Sequence, residues 1–350
     1  MTNPGPEPEA VGTLIVGAGP IGLELAAALK AMGEAYVQID AGQIGATVAW
    51  YPKQATFFSS PERIAIAGVP LVTPDQSKAT REGYLAYLRG VVARHELHVR
   101  TFERVESVVR LRDGFDVRTS RQGYRAERVV LAIGDMHRPR MLGVAGEDLP
   151  HVWHYFDEPH DYFRRSLLIV GGRNSAAEAA LRCYHAGARV TMSCRAASLD
   201  DRGIKYWLLP ELKSLIKHGR IGFLPETVVT AIEPEHAVLT PRSGGEAHRL
   251  PAQAVLLLTG YEQDPSLFES AGVELEGENR APRVDRATMM SDVPGLYVAG
   301  TAAAGTQRRF RLFIENCHEH VVRIARSITG REPPASYVNT AVKTFGLAES

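Results

Sequence analysis

An α/β fold with two nucleotide-binding βαβ units is predicted by three features of this 350-residue sequence. A short apolar stretch, 13–16, runs into the turn Gly17-Ala18-Gly19-Pro20-Ile21-Gly22 and then into an Ala- and Leu-rich stretch. The same grammar recurs at 167–170, followed by Gly171-Gly172-Arg173-Asn174-Ser175-Ala176 and the stretch 177–185. Further apolar stretches leave through a glycine, 129–133 before Gly134 and 254–259 before Gly260, where the chain crosses between domains. A third, 295–299 before Gly300, leads toward a final helix.

Each element has a local reason. Residues 13–16 suit a strand buried on both faces, since parallel strands read as continuous apolar runs. The helix over 23–32 ends at Gly33, a residue suited to the left-handed C-cap. A strand over 35–39 ends at Asp40 and completes the first unit. Residues 105–111 and 115–119 alternate Val with charge and read as antiparallel strands. In the second unit Gly187 closes the helix and 189–193 form the next strand; 211–218 form an amphipathic helix capped by Gly219. The last helix is expected over 310–327. The first nine residues, rich in Pro and Glu, are expected to be disordered.

Composition narrows the function. Forty Lys and Arg balance forty Asp and Glu, and 45% of residues are hydrophobic. A nucleic-acid binder would carry a basic excess. No apolar run reaches the length of a membrane span, and the N-terminus lacks the basic and apolar regions of a signal peptide. A cytoplasmic protein is expected. The three cysteines, Cys183, Cys194 and Cys317, form no CxxC pair, so no local dithiol is present. Cys317-His318-x-His320 is the nearest approach to metal-ligand spacing and reads better as part of an amphipathic helix.

The glycine turns carry the chemistry. Gly17 permits the strand-to-helix reversal, Gly19 lets backbone approach a pyrophosphate, and Gly22 allows helix to pack on strand. The helix N-terminus presents N–H groups and a positive dipole end to phosphate. Asp40 stands where an acid accepts hydrogen bonds from an adenosine ribose. In the second turn Arg173 replaces the middle glycine, and its guanidinium can pair with phosphate oxygens. The strand after it ends Ser193-Cys194-Arg195, with an arginine in place of the ribose-binding acid. Arg195 either accommodates a 2′-phosphate or is a solvated surface residue; the first reading selects NADPH over NADH. Two such sites imply FAD resident in the first and NADPH delivering hydride from the second.

The crossings LAIGD (131–135) and LLTGY (257–261), with GLYVAG (295–300), resemble the low-molecular-weight thioredoxin reductase-like flavoproteins. The stretches YPKQATFFSSPERIAIAGVPL (51–71), GGRNSAAEAAL (171–181), IKYWLLPEL (204–212) and RLFIENC (311–317) are similar to the bacillithiol disulfide reductase-like branch. The resemblance implies an FAD domain in two pieces, 10–138 and 262–350, with an NADPH domain, 139–261, inserted. It carries FAD pyrophosphate binding onto Gly17, Gly19, Pro20 and Gly22, and adenosine ribose binding onto Asp40. Gly134, Gly300 and Thr301 would lie along the FAD, and backbone N–H groups of Arg311, Leu312 and Phe313 would face the flavin pyrimidine ring. Gly171, Gly172, Arg173, Asn174, Ser175, Ala176 and Arg195 would take NADPH. Lys205 to Trp207 would border the nicotinamide nucleotide.

Departures from that pattern bear on the reaction. Thioredoxin reductases carry CxxC in the nucleotide domain, and this chain has none. Several members of the branch have Cys directly after GxGP, where Ile21 stands here. Relatives usually have Asp at the Thr301 position. No catalytic side chain is assigned. The expected function is hydride transfer from NADPH to flavin and on to a low-molecular-weight disulfide such as bacillithiol disulfide. Alternatives are electron transfer to a small redox protein, as in ferredoxin or flavodoxin reductases, a flavin monooxygenase-like activity suggested by GVAGEDLPHVWHY (143–155), and a non-catalytic nucleotide sensor. Arg308, Arg309 and Arg311 could bind an acidic substrate or pair with nearby Glu. His151 and His154 read as packing residues. A homodimer is expected.

Overall fold

A computed structural model describes residues 7–308 and 311–340. Most of the stretch expected to be disordered, Arg309 of the basic cluster, and Phe310 at the expected start of the last helix lie outside the described residues. The chain forms two compact units. One holds residues up to Trp50, Gln54–Arg138 and Tyr261 onward; the other holds Tyr51–Lys53 and Pro139–Gly260.

The first unit begins with β1 (Glu9–Val16), α1 (Pro20–Ala31) and β2 (Tyr36–Ile39). Two single-turn helices, α2 (Ala46–Ala49) and α3 (Pro61–Ile64), precede α4 (Arg81–Arg94) and β3 (Val99–Arg100). An antiparallel meander follows, β4 (Val105–Leu111), β5 (Gly114–Thr119) and β6 (Gly123–Leu131), before the short β7 (Arg138–Pro139) at the first crossing. The second unit contains β8 (Val152–Trp153), β9 (Ser166–Val170), α5 (Asn174–His185), β10 (Arg189–Cys194), α6 (Leu209–Lys217) and β11 (Gly222–Pro225). It continues through β12 (Thr227–Ile232), β13 (His236–Pro241), β14 (His248–Pro251) and β15 (Ala254–Leu257). The chain then returns through β16 (Tyr261–Glu262), α7 (Ser266–Ala271), β17 (Leu275–Glu276), β18 (Ala281–Pro282), β19 (Leu296–Val298) and α8 (Ile314–Thr329).

The main sheet of the first unit has the order β3-β2-β1-β6-β5-β4, with β19 also on β6. β6 changes partner along its length: its start pairs antiparallel with β5, and 129–131 pair parallel with β19. β1 therefore lies between β2 and β6, both parallel to it. α1 is buried from Ile21 through Leu29, packed on α8 as well as on β1 and β2, and each fully buried Leu contributes about 2 kcal/mol.

In the second unit the order is β11-β10-β9-β15-β8. Alternate residues of β9 enter different cores, Leu167 and Ile169 with α5 and α6, Leu168 and Val170 with the antiparallel sheet β12-β13-β14. A parallel strand covered on both faces accounts for the unbroken apolar run in its sequence. The α/β fold class expected from the sequence is the one observed.

Four helix starts differ from expectation: α1 begins at Pro20 rather than 23 and α6 at Leu209 rather than 211, each with a proline in its first turn. α5 begins at Asn174 rather than 177. α8 begins at Ile314, because the Gln307 and Asn316 side chains accept from the N–H groups of 311–313 and hold that segment extended.

Candidate active site: two glycine loops

Both glycine loops leave the C-terminal end of a parallel strand at a reversal of strand order. From β1 the chain proceeds to β2 on one side while β6 flanks the other; from β9 it proceeds to β10 while β15 flanks the other. Ligands of open α/β sheets bind in the crevices formed at such points.

The first loop is closed by backbone. Gly17 has φ +115, and a Cβ there would overlap the Ala132 carbonyl; a Cβ on Gly22 would overlap the carbonyl of Gly17. At Gly19, the N-cap of α1, a Cβ would meet nothing within 4 Å, so space lies open at the helix N-terminus, with Pro20 in its first turn. Asp40 locks the loop to the end of β2: Oδ2 accepts from Ala18 N at 2.6 Å and Oδ1 from Gly42 N at 2.7 Å. Burial raises the Asp40 pKa and these two bonds oppose the rise. Each oxygen keeps a lone pair for a ribose hydroxyl.

The exits of β6 and β19 meet this loop. A Cβ on Gly300 would lie 3.4 Å from the Ile21 Cβ, and one on Gly134 would lie 3.9 Å from Thr301 Oγ1. Asp135, buried beside Gly134, accepts from Gln307 Nε2 at 2.8 Å. Burial pushes its carboxyl up, against hydrogen bonds from Gln307 and Thr301. Gln307 in turn accepts from Arg311 N (2.8 Å) and Leu312 N (2.9 Å), while Asn316 Oδ1 accepts from Phe313 N (2.8 Å). The N–H groups of Arg311, Leu312 and Phe313 are thus bound by side chains, and the donors without intrahelical acceptors lie in the first turn of α8, 314–316.

Gln263 Nε2 bridges the carbonyls of Gly134 and Ala302, each at 3.0 Å, and its Oε1 is buried without a partner. Gly300 N donates to His320 Nδ1 at 3.1 Å. Burial lowers the His320 pKa to about 4, with Arg323 adding to the effect, so the ring is a neutral acceptor at physiological pH. His318 turns elsewhere, to Glu24 Oε2 at 2.6 Å and the Arg63 carbonyl at 2.9 Å. Burial opposes its protonation, yet the Glu24 carboxylate raises its pKa overall. Cys317 and the two histidines therefore share no centre, and no metal-binding group occurs among the described residues.

The second loop is held by backbone at Gly171, where a Cβ would lie 2.5 Å from the Leu258 carbonyl, and by side chains beyond it. A Cβ on Gly172 would lie 2.5 Å from Cys194 Sγ, and Ala176 packs under Gly171. Arg173 is exposed and its Nε lies 3.4 Å from Asp200 Oδ2. Asn174 Oδ1 accepts from Lys205 N at 2.6 Å, and Lys205 Nζ pairs with Glu178 Oε2 at 3.0 Å. Ser175 is exposed on the first turn of α5, and Arg195 is exposed directly after β10. His154 Nε2 bonds Glu147 Oε1 at 3.0 Å, and Arg308 pairs with Glu278 at 3.3 Å.

Sequence reasoning did not single out Asp135, Gln263 or Gln307, and it weighed His320 only as a metal ligand. Of these only Asp135, an acid directly after the glycine exit of a buried strand, stood in a position that could have marked it.

Two switch-point loops in two units of one chain define an oxidoreductase that works with two dinucleotides. The chain belongs to the pyridine nucleotide-disulphide oxidoreductase family, whose description matches residues 14–300. It is 36% identical over 321 residues to bacilliredoxin reductase Bdr of Bacillus subtilis (strain 168), covering 91% of this chain and 98% of that protein. It is similar to the solved structure of bacillithiol disulfide reductase Bdr (YpdA) from Bacillus cereus, with TM-score 0.88, 35% identity and coverage of 93% and 100%. For the same-named protein of Staphylococcus aureus the values are 0.87, 33%, 92% and 99%.

The chain is accordingly an NADPH-dependent flavoprotein oxidoreductase using FAD and NADPH. The open space at Gly19 and the unsatisfied Gln263 Oε1 fit a dinucleotide with polar groups along the first-unit crevice. No helix among the described residues is long and apolar enough to cross a membrane.

Proposed function

We propose that this chain reduces a low-molecular-weight disulfide, bacillithiol disulfide being the candidate. One hydride from NADPH and one proton become the two thiols of the product, and NADP+ leaves. The observation that carries the reading is the paired loops in a chain 36% identical over 91% of its length to a bacilliredoxin reductase. FAD, when bound, supplies the relay from hydride donor to disulfide.

The chain's residues bind and orient. Gly17, Gly19, Pro20 and Gly22 hold the FAD pyrophosphate at the positive end of α1, and Asp40 holds the adenosine ribose. Gly134, Gly300 and Thr301 line the ribityl chain, with Asp135 and Gln307 behind them. Arg311, Leu312 and Phe313 set the entry to α8, whose dipole favours negative charge at the pyrimidine ring. In the second unit Gly171, Gly172, Arg173, Asn174, Ser175 and Ala176 take the NADPH pyrophosphate, and Arg195 takes the 2′-phosphate.

No thiol of the chain shares the work. All three cysteines are free and buried, and burial raises the Cys183 thiol to about 12 and the Cys317 thiol further. With Ile21 after Pro20, FAD, when bound, would supply the electrons to the disulfide without a thiol of the chain between them. The same lack of an accessible thiol favours a second reading, transfer to a small redox protein. A reductase fed by NADPH, with three free thiols, belongs in the cytoplasm, and a homodimer is part of this reading.

Anaerobic enzyme reduced with NADPH is mixed with bacillithiol disulfide or with ferredoxin. Return of the oxidised flavin spectrum with the disulfide alone supports the first reading; return with ferredoxin alone replaces it with the second.

A further inference from the structure

The three residues directly after Arg195, Ala196-Ala197-Ser198, are not basic. A second guanidinium reaches it from elsewhere in the unit. Arg242, just past the end of β13, donates from Nη1 to the Arg195 carbonyl at 3.0 Å. Two backbone bonds fix the approach: Arg242 N donates to the Glu226 carbonyl at 2.7 Å, and Glu226 N donates to the Ala196 carbonyl at 3.1 Å. Glu226 follows β11, which pairs with β10 through Cys194 and Pro225, so the three segments end at one edge of the sheet.

Arg242 and Arg195 are both exposed, and among the described residues neither forms an ion pair. Arg173 differs, with Asp200 as its partner. An arginine that spends one N–H on a backbone carbonyl keeps four donors. Two unneutralised guanidinium groups at the end of the second strand of a nucleotide-binding unit lie where the substituent on the adenosine 2′ position is read.

We infer that Arg242 is a specificity-determining residue that binds the 2′-phosphate of NADPH together with Arg195. The inference rests on the second unit being the NADPH site. Arg242 positions Arg195 through its carbonyl and offers its remaining N–H groups to the phosphate in the forked geometry suited to that anion. The hairpin between β13 and β14 thereby becomes part of the nucleotide site.

The flavin-loaded enzyme and its Arg242→Ala, Arg242→Lys and Arg195→Ala variants are titrated calorimetrically with adenosine 2′,5′-bisphosphate and with AMP. Arg242→Ala weakens the bisphosphate about tenfold, the size of a lost charged hydrogen bond, and leaves AMP unchanged. KM for NADPH rises by a similar factor with kcat and the KM for NADH constant. Arg242→Lys recovers part of the loss. Unchanged bisphosphate binding in Arg242→Ala, or equal weakening of both ligands, overturns the inference. If Arg195→Ala discriminates the ligands while Arg242→Ala does not, Arg242 alone is excluded. If wild type binds neither ligand, the assignment of the NADPH site itself fails.

Discussion

The two glycine loops share a place in the fold and differ in what closes them. In the first, Gly17 and Gly22 press on main-chain carbonyls, and Asp40 ties the loop to the end of β2 through two N–H bonds. In the second, Gly171 presses on the Leu258 carbonyl in the same way, but beyond it Arg173 meets Asp200, Asn174 meets Lys205, and Lys205 meets Glu178. The loops part after their first glycine: the backbone packing at Gly22 has no alternative arrangement, whereas an exposed pair such as Arg173–Asp200 reforms at little cost. The first loop is built as a permanent seat and the second as one that admits and releases its ligand. That division suits the resident FAD proposed for the first loop and the NADPH proposed for the second.

The sharpest way to break this contrast is to substitute one residue in each loop by alanine. Gly17→Ala forces a Cβ into the Ala132 carbonyl at φ +115; it should cost about 3 kcal/mol or more and leave the purified protein colourless, read as flavin per chain and Tm. Arg173→Ala in the second loop should change Tm by a surface-residue amount, about 0.5 kcal/mol or less, and keep full flavin. Equal losses from both substitutions would refute the contrast.

Acid should act on the first unit next. His320 holds Gly300 N as a neutral acceptor, and its folded pKa of about 4 lies below the ordinary 6.5. Its contribution is complete above pH 6.5 and is lost as pH falls toward 4, about 3 kcal/mol in all. His318 has the opposite sign: its pKa is raised, so its stabilisation persists below 6.5 and is lost only as pH rises through the folded value. Denaturant titration at intervals between pH 7 and 4 should show a loss that His320→Gln largely abolishes. An unchanged slope in that variant would exclude His320 as its source.

Arg195→Ala sharpens the second loop's side of the comparison, raising KM for NADPH about tenfold with KM for NADH unmoved. Equal effects on both nucleotides would remove its role at the 2′-phosphate. The smallest effect is expected at Cys317, buried and far from thiolate formation. Cys317→Ala should leave disulfide reduction within about twofold and cost about 1 kcal/mol of stability for the removed sulfur. A collapse of turnover with flavin retained would bring that thiol into the reaction.

Much of this architecture was legible in the sequence because its positions answer to local rules. A strand that must reverse into a helix over a phosphate requires Gly17 and Gly22, and the acid closing the next strand stands at Asp40. The glycine exits at Gly134, Gly260 and Gly300 mark strand ends for the same reason. The supports were not legible. Gln263 and His320 act through partners far away in sequence, and Gln307 reaches Asp135 across 172 residues, so no spacing announces them. The start of α8 was misplaced because Gln307 and Asn316, rather than propensity, decide where the helix begins. Arg242 lies 47 residues from Arg195 and reaches it only through the pairing of β10 with β11 and of β12 with β13.

The central claim is that one resident flavin carries all the electrons, with no thiol of the chain in the path. Anaerobic reductive titration with NADPH, following the flavin spectrum while free thiols are counted, tests it most directly. The account predicts full bleaching with one NADPH per flavin and a constant thiol count. Uptake of a second reducing equivalent, with new thiols appearing in the chain, would contradict it.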